Sequence, residues 1–146
     1  MTSGKFVEGE SMKVLIIGGA GMIGRKLSER LARDGALGGK EISSLTLYDV
    51  VEGVVPAGAR MQVKVITGDL PAVGEARRII ADRPDVIFHL AAIVSGEAEQ
   101  DFDKGYRINM DGTRSLLEAV RHAGHKPRRG TVEGLKWAEA CGVKLG

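Results

Sequence analysis

The stretch VLIIGGAGMIG, residues 14–24, decides how this chain begins to fold. Four apolar residues predict a buried strand, the glycines predict a tight turn, and Arg25–Arg33 is predicted to be a helix. Gly18 would allow the turn, Gly21 would let the backbone approach a pyrophosphate, and Gly24 would let the helix pack closely on the sheet. Because the free N–H groups of the helix would point at the phosphates, this stretch predicts a dinucleotide phosphate site.

The second predicted strand, Ile42–Tyr48, ends in a carboxylate, Asp49. A carboxylate at this position can accept hydrogen bonds from both hydroxyls of an adenine ribose, and it would repel a 2′-phosphate. The neighbouring Val50 and Val51 supply no positive charge. We therefore expect NAD rather than NADP, the alternative being an aspartate that only ends a strand in a turn.

Two further strands end in residues that could serve a ligand. Asp69 follows the predicted strand Val63–Thr67 and could accept from an adenine amino group, or instead cap a helix ahead of Pro71. His89 lies near the end of the predicted strand Val86–Leu90. It is a candidate general base, and the alternative is a structural histidine in a buried strand.

Predicted helices alternate with these strands. A helix over Pro71–Asp82 has proline in its first turn, and a longer helix over Asp103–Ala123 is followed by Gly124. The apolar residues with helical spacing, which should face the core, are Val73, Ala76, Ile79 and Ile80 in the former and Ile108, Leu116, Leu117 and Val120 in the latter. The alternation predicts an α/β fold, a Rossmann-type doubly wound parallel sheet with helices on both faces. Val50–Met61 reads as a loop.

The expected sheet is incomplete, because no fifth apolar strand follows Gly124 and no substrate domain is present. We divide the chain into a leader of residues 1–11, a nucleotide-binding domain of residues 12–127, and a tail of residues 128–146 whose origin is open. The leader is polar and lacks the apolar centre of a signal peptide.

Composition limits the classes of function. The chain has 146 residues, enough for one domain, and a net charge of +2 is too small to suggest a nucleic-acid partner. Its single cysteine, Cys141, excludes an internal disulfide, which is consistent with a cytoplasmic protein. No apolar stretch is long enough to predict a membrane span, and no spacing of His, Cys, Asp or Glu predicts a metal site.

Five motifs occur in order: the glycine loop, Tyr48-Asp49, Gly68-Asp69-Leu70, His89-Leu90-Ala91-Ala92 and Asn109-Met110-Asp111-Gly112-Thr113. With them, residues 12–127 resemble the N-terminal half of an extended short-chain dehydrogenase/reductase of the NAD-dependent epimerase/dehydratase group. Within it the similarity is greatest to members that oxidise a four-carbon sugar acid. The resemblance implies NAD as cofactor. It implies pyrophosphate contacts at Gly18, Gly21, Met22 and Ile23, with Gly24 beside them; adenine ribose contacts at Asp49; adenine contacts at Asp69 and Leu70; nicotinamide ribose contacts at Leu90, Ala91 and Ala92; and a bracing role for Asn109.

The chain departs from that family where catalysis would begin. The family uses Tyr-x-x-x-Lys as its proton acceptor, but the residues four positions after Tyr48 and Tyr106 are Glu52 and Met110. No catalytic residue is therefore assigned, and the chain alone is expected to be inactive. We expect the NAD-binding part of an oxidoreductase acting on a small sugar-acid substrate. The alternatives are a nucleotide-sugar epimerase or dehydratase, and a non-catalytic NAD-binding module; relatives also suggest a homodimer formed through the long helix.

Overall fold

The computed structural model describes residues 11–93 and 99–124. Its sheet has four parallel strands in the order β4-β3-β1-β5, and a short strand, β2, pairs antiparallel with the beginning of β3. This order is that of one half of a doubly wound nucleotide-binding sheet, so the predicted Rossmann-type fold is confirmed. The strands are β1 (Met12–Ile17), β2 (Ala36–Leu37), β3 (Lys40–Asp49), β4 (Gln62–Thr67) and β5 (Val86–His89).

The helices follow the strands along the chain and cover both faces of the sheet. They are α1 (Met22–Asp34), α2 (Glu75–Ile80), α3 (Phe102–Tyr106) and α4 (Gly112–His122). A π-helical turn, Arg107–Asp111, joins α3 to α4 without a break. The long helix predicted from the sequence therefore forms, with a wide turn in its middle.

Strand β1 lies at the centre of the core. Its last four residues, Val14–Ile17, are at most 1% exposed. Because side chains alternate along a strand, Leu15 and Ile17 join a cluster with α2 and α4, whereas Val14 and Ile16 join a cluster with α1. Burial on both faces explains why this strand is apolar throughout.

Two details of the predicted helices are wrong. Helix α2 begins at Glu75 and not at Pro71, because Gly74 has a left-handed backbone with φ of 84°, which leaves Val73 fully exposed before the helix. In α4, Leu116 is 4% exposed but Leu117 is 64% exposed. Helical neighbours lie about 100° apart, so the buried stripe passes through Leu116 and Ala119 and misses Leu117.

The hairpin β2–β3 is absent from the sequence prediction. Gly38 and Gly39 connect its strands, and both have positive φ, 57° and 79°. A Gly-Gly pair with two positive φ angles is the turn that two-residue hairpins favour, so the signal was present but was not read. Val50–Met61 contains no helix or strand, as predicted.

Several predictions fall outside the described residues. These include the leader, apart from Ser11, the tail of residues 128–146 with Cys141, and the question of a fifth strand after Gly124. Within residues 11–93 and 99–124, every helix is too short or too polar to cross a membrane.

Candidate functional site

A cleft of about 270 Å³ opens where the parallel strands end, and we call it the strand-end cleft. Segments that follow β1, β3, β4 and β5 form its walls, and Ile108 of the π-helical turn closes one side. The topology thus brings together most of the residues predicted from the sequence, namely Gly18, Gly21, Asp49, Asp69, Leu70, Leu90, Ala91 and Ala92. Met22, Ile23 and Gly24 lie next to it in α1, and Asn109 lies behind its rim.

The glycine loop is held against the end of β3. The N–H groups of Gly18 and Gly19 both donate to the Tyr48 carbonyl, at 2.8 and 3.1 Å. Gly18 has a φ of 90°, and a Cβ atom there would lie 2.7 Å from the Ala91 nitrogen. Only glycine therefore lets the loop pass between β3 and the segment after β5.

Helix α1 begins at this loop with its backbone donors free. Gly21 precedes the first helical residue in an extended conformation, φ −70° and ψ 169°, and no side chain caps the N–H groups of the first turn. A Cβ atom on Gly24 would lie 2.1 Å from the Gly18 oxygen, so the helix packs directly on the loop. The side chains of Met22 and Ile23 are largely exposed. The uncapped N–H groups of the first turn and the positive end of the helix dipole therefore lie beside the cleft.

Asp49 connects the loop to the end of β3. Its Oδ2 accepts a hydrogen bond from the Ala20 N–H at 2.9 Å, and its Oδ1 accepts one from the Val50 N–H at 2.7 Å. Each carboxylate oxygen can accept a second bond, so the group still has capacity for two hydroxyls of a ligand. The adjacent exposed side chains are Val50 and Val51, which bring no positive charge.

Asp69, which lines the cleft, takes part in an ion pair. Its Oδ2 accepts a hydrogen bond from Nη2 of Arg107, which belongs to the π-helical turn. The helix-capping alternative for Asp69 is wrong, because Gly74 occupies the position before α2. Arg107 was missed by the sequence analysis, since no local pattern links residues 38 positions apart.

Asn109 braces the segment that follows β5. Its side-chain oxygen accepts from the Ile93 N–H at 2.8 Å, and its amide donates to the Ile93 carbonyl at 3.0 Å. The two bonds reproduce a strand-like pairing for a residue that has left the sheet. This geometry supports the bracing role that the resemblance implies, and it places Asn109 behind the cleft wall rather than in it.

One ring nitrogen of His89 has a structural contact, and the other is buried. The Thr113 hydroxyl donates to the Asn109 carbonyl at 2.8 Å, so His89 Nε2, also 2.8 Å from that hydroxyl, must be the donor to it. Nδ1 is then the unprotonated nitrogen, and it is buried with no partner among residues 11–93 and 99–124. Burial lowers the pKa of His89. The interpretation as a structural histidine therefore has the stronger support.

A polar network lies beneath the Gly68-Asp69 turn. The buried Tyr48 hydroxyl donates to Glu75 at 2.8 Å, and Arg78 donates to both oxygens of the same carboxylate. Burial, and then the bond to Glu75, raise the pKa of Tyr48, so this tyrosine is no proton acceptor near neutral pH. A Cβ atom on Gly68 would lie 2.1 Å from Glu75 Oε2, so a side chain there would displace this carboxylate from the network.

A second and larger opening, about 650 Å³, lies between α1 and the loop after β3, and we call it the α1 cleft. Its lining includes Arg25, Arg33, Arg60 and the segment Val54–Gly58, and it contains none of the predicted site residues. In the described part of the chain, no three His, Cys, Asp or Glu side chains are grouped closely enough to hold a metal ion.

Comparison with known proteins gives a consistent family. The NAD dependent epimerase/dehydratase family model matches residues 14–131. D-erythronate dehydrogenase of Cupriavidus necator is 46% identical over 122 residues, which cover 80% of this chain and 37% of that protein. The crystal structure of a nucleoside-diphosphate-sugar epimerase from Agrobacterium tumefaciens has a TM-score of 0.77 and 58% identity, over 81% of this chain and 36% of that one.

A third similarity concerns a structure with a bound cofactor. Uronate dehydrogenase from Agrobacterium tumefaciens, complexed with NAD, has a TM-score of 0.60 and 28% identity, over 77% of this chain and 37% of that one. The chain thus spans little more than a third of the length of these relatives. The part of this chain that matches them includes the glycine loop.

Proposed function

The chain belongs to the NAD-dependent epimerase/dehydratase family, and from this premise we propose that residues 12–127 are the NAD-binding domain of an oxidoreductase. Its reaction would be the oxidation of a secondary hydroxyl of a sugar acid such as D-erythronate. One observation carries the binding proposal: the start of α1 has no side-chain cap and lies at the strand-end cleft beside Asp49.

The glycine loop would hold the pyrophosphate. The backbone N–H groups of Met22, Ile23 and Gly24 have no partner within the helix, and a phosphate oxygen is the acceptor such groups favour. Gly18 keeps the loop close to Ala91, and Gly21 leaves open space where a side chain would stand.

The two ends of the dinucleotide would lie on either side of the loop. Asp49 would accept hydrogen bonds from the adenine ribose, and Asp69 and Leu70 would border the adenine. Small side chains after β5, at Ala91 and Ala92, leave room for the nicotinamide ribose beside Leu90. Asn109 would keep this last segment in place through Ile93.

The bound nicotinamide would supply the hydride acceptor, and the proton from the substrate hydroxyl would need a separate base. None is assigned in the described residues: His89 is held through Thr113, and the pKa of Tyr48 is raised. We therefore expect NADH formation at 340 nm by the 146-residue chain with D-erythronate to stay far below about 1 s⁻¹. Turnover at that rate would show that the chain holds its own base.

An epimerase is the second candidate, since the Agrobacterium tumefaciens structure at 58% identity is described as a nucleoside-diphosphate-sugar epimerase. A dehydrogenase releases net NADH, whereas an epimerase interconverts sugars without it. A non-catalytic NAD-binding module is the third alternative. Sequencing the encoding gene around and beyond Arg128 separates the two enzymes from the module, because a Tyr-x-x-x-Lys motif there would favour a dehydrogenase or an epimerase. It does not separate the dehydrogenase from the epimerase.

The binding proposal is tested by Gly21→Val. Gly21 has an ordinary extended backbone, and a Cβ atom there would meet only the Gly18 oxygen, at 3.4 Å. The variant should therefore keep its circular dichroism spectrum while losing NAD affinity in calorimetric titration. A folded variant that binds NAD as the unmodified chain does would show that the loop does not hold the phosphates.

The homodimer remains a proposal with one structural support. Met110 and Leu117 are large apolar side chains exposed on the helix that relatives were expected to use for dimerisation. Sedimentation velocity of the chain and of Leu117→Glu tests it: dimerisation should weaken in the variant. A monomer at all concentrations would reject the proposal.

A further inference from the structure

The Asp69–Arg107 ion pair joins the turn after β4 to the π-helical turn, and each of these two elements contributes a residue to the lining of the strand-end cleft. Asp69 lies in the turn after β4 and lines the cleft, and Arg107 opens the π-helical turn whose next residue, Ile108, also lines it. Both side chains are about half exposed, 42% for Asp69 and 49% for Arg107. A pair this accessible contributes little to stability, so its position calls for another explanation.

The pair uses only half of the Asp69 carboxylate. Arg107 donates to Oδ2, and residues 11–93 and 99–124 supply no hydrogen bond to Oδ1. A guanidinium hydrogen bond to one oxygen restricts the rotation of the carboxylate and so limits where the other oxygen can point. Oδ1 is therefore a restrained acceptor on a residue that lines the cleft.

Apolar side chains line the cleft together with Asp69. Among them are its two sequence neighbours, Leu70 and Pro71, and Ile108, the neighbour of Arg107. A flat apolar ring with a hydrogen-bond donor at its edge would contact these apolar side chains and donate to the carboxylate. Adenine is such a ring, and its 6-amino group is the donor.

We propose that Arg107 is a positioning residue for adenine: it fixes the Asp69 carboxylate so that the free oxygen accepts the 6-amino N–H. This inference rests on the proposed binding of NAD and adds the residue that makes the adenine end selective. Arg107 has no contact with the ring in this role; it acts through Asp69.

The π-helical turn explains how three consecutive residues, Arg107–Asn109, can all face the cleft or its wall. An i→i+5 turn places fewer degrees between successive side chains than an α-helix does, so neighbouring residues can face one side. Here Arg107 bonds to Asp69, Ile108 lines the cleft and Asn109 bonds to Ile93. In a regular α-helix these three consecutive side chains would spread over a wider arc.

The test compares AMP with purine riboside 5′-monophosphate, which lacks only the 6-amino group. Their dissociation constants are measured by NMR titration of the 146-residue chain, with NAD binding as a reference. The unmodified chain should bind AMP about tenfold more tightly, as expected for one hydrogen bond to a charged acceptor. Arg107→Gln should reduce this ratio to about 1–2 by weakening AMP alone, and Arg107→Lys should restore part of it.

The matched control is Arg114→Gln. Arg114 lies on the same continuous helix and forms an exposed ion pair with Glu118 at 3.1 Å, away from the cleft lining. It should leave the AMP preference unchanged, and both glutamine variants should melt near the unmodified chain. In an Asp69→Ala background, Arg107→Gln should have no further effect on the preference.

The outcomes separate the two proposals. An unchanged preference in Arg107→Gln, with NAD still bound, would overturn the role of Arg107 and leave the NAD site intact. An equal loss in Arg114→Gln would also overturn it, because the effect would then be a general property of the helix. Failure of the unmodified chain to bind NAD would overturn the proposed function, and this inference with it.

Discussion

Gly21, just before α1, and Gly24, in its first turn, should lose stability to different extents when replaced by alanine. A Cβ atom on Gly24 would lie 2.1 Å from the Gly18 carbonyl oxygen and 2.8 Å from the Gly19 Cα. A Cβ atom on Gly21 would lie 3.4 Å from that same oxygen, which is an ordinary contact. Gly24→Ala and Gly21→Ala are therefore a matched pair that tests how tightly α1 packs on the loop.

The expected magnitudes follow from these distances. Overpacking commonly costs about 1–3 kcal/mol, and an overlap between backbone and Cβ has no side-chain rotation to relieve it, so Gly24→Ala belongs at the upper end. The better helix propensity of alanine offsets at most about 1 kcal/mol. A net loss of about 2 kcal/mol lowers the melting temperature by roughly 4–8 °C in a chain of 146 residues. Gly21→Ala should lose no more than about 1 kcal/mol, since alanine is only a poorer residue before a helix.

The assay is thermal unfolding followed by circular dichroism at one protein concentration and pH. Because α1 packs directly on Gly18, Gly24→Ala should melt well below Gly21→Ala. If Gly24→Ala melts at or above the temperature of Gly21→Ala, the close packing of α1 on Gly18 is refuted.

Three other changes give separate outcomes. Asp49 should make NAD bind at least about tenfold more tightly than NADP in calorimetric titration, and equal affinities would remove its ribose role. Asn109→Ala should lower the urea midpoint by an amount equivalent to about 2–4 kcal/mol, because both backbone groups of Ile93 lose their partner. Asn109→Asp should keep part of this stability, since its carboxylate can still accept from the Ile93 N–H. An unchanged midpoint in Asn109→Ala would contradict the bracing role. The hydrogen bond from Arg78, and after it the one from the Tyr48 hydroxyl, lower the pKa of Glu75 below its usual 4.5. The charged Glu75 therefore stabilises the folded state fully above pH 4.5, and this contribution is lost as the pH falls through the pKa of Glu75 in the folded protein. Glu75→Gln should therefore flatten the fall in stability between about pH 5 and pH 3, and identical slopes would count against the network.

The sequence was most informative where structure follows from neighbouring residues. The apolar run Val14–Ile17 must be a buried strand, and glycines directly after it must make a turn. Asp49 could be placed beside that turn because parallel strands end at one edge of a sheet. These features need only local pattern and topology, and the fold class followed from them.

The features that were missed depend on tertiary contacts or on single backbone angles. The start of α2 was placed too early because a proline can begin a helix, but the left-handed Gly74 interrupts the chain after Pro71. The π-helical turn leaves no mark in the hydrophobic pattern, so the pairing of Arg107 with Asp69 was not foreseen. Leu117 was assigned to the core on helical spacing alone, which cannot decide between adjacent residues at the edge of a stripe.

Binding of NAD in the strand-end cleft can be followed residue by residue through the amide chemical shifts of the isotopically labelled chain. On addition of NAD, we expect shifts in Gly18–Gly24, Asp49, Asp69–Leu70 and Leu90–Ala92, most of which line this cleft. Shifts confined to Val54–Gly58 would place the ligand in the α1 cleft instead. Either that result or the absence of any shift would contradict the claim.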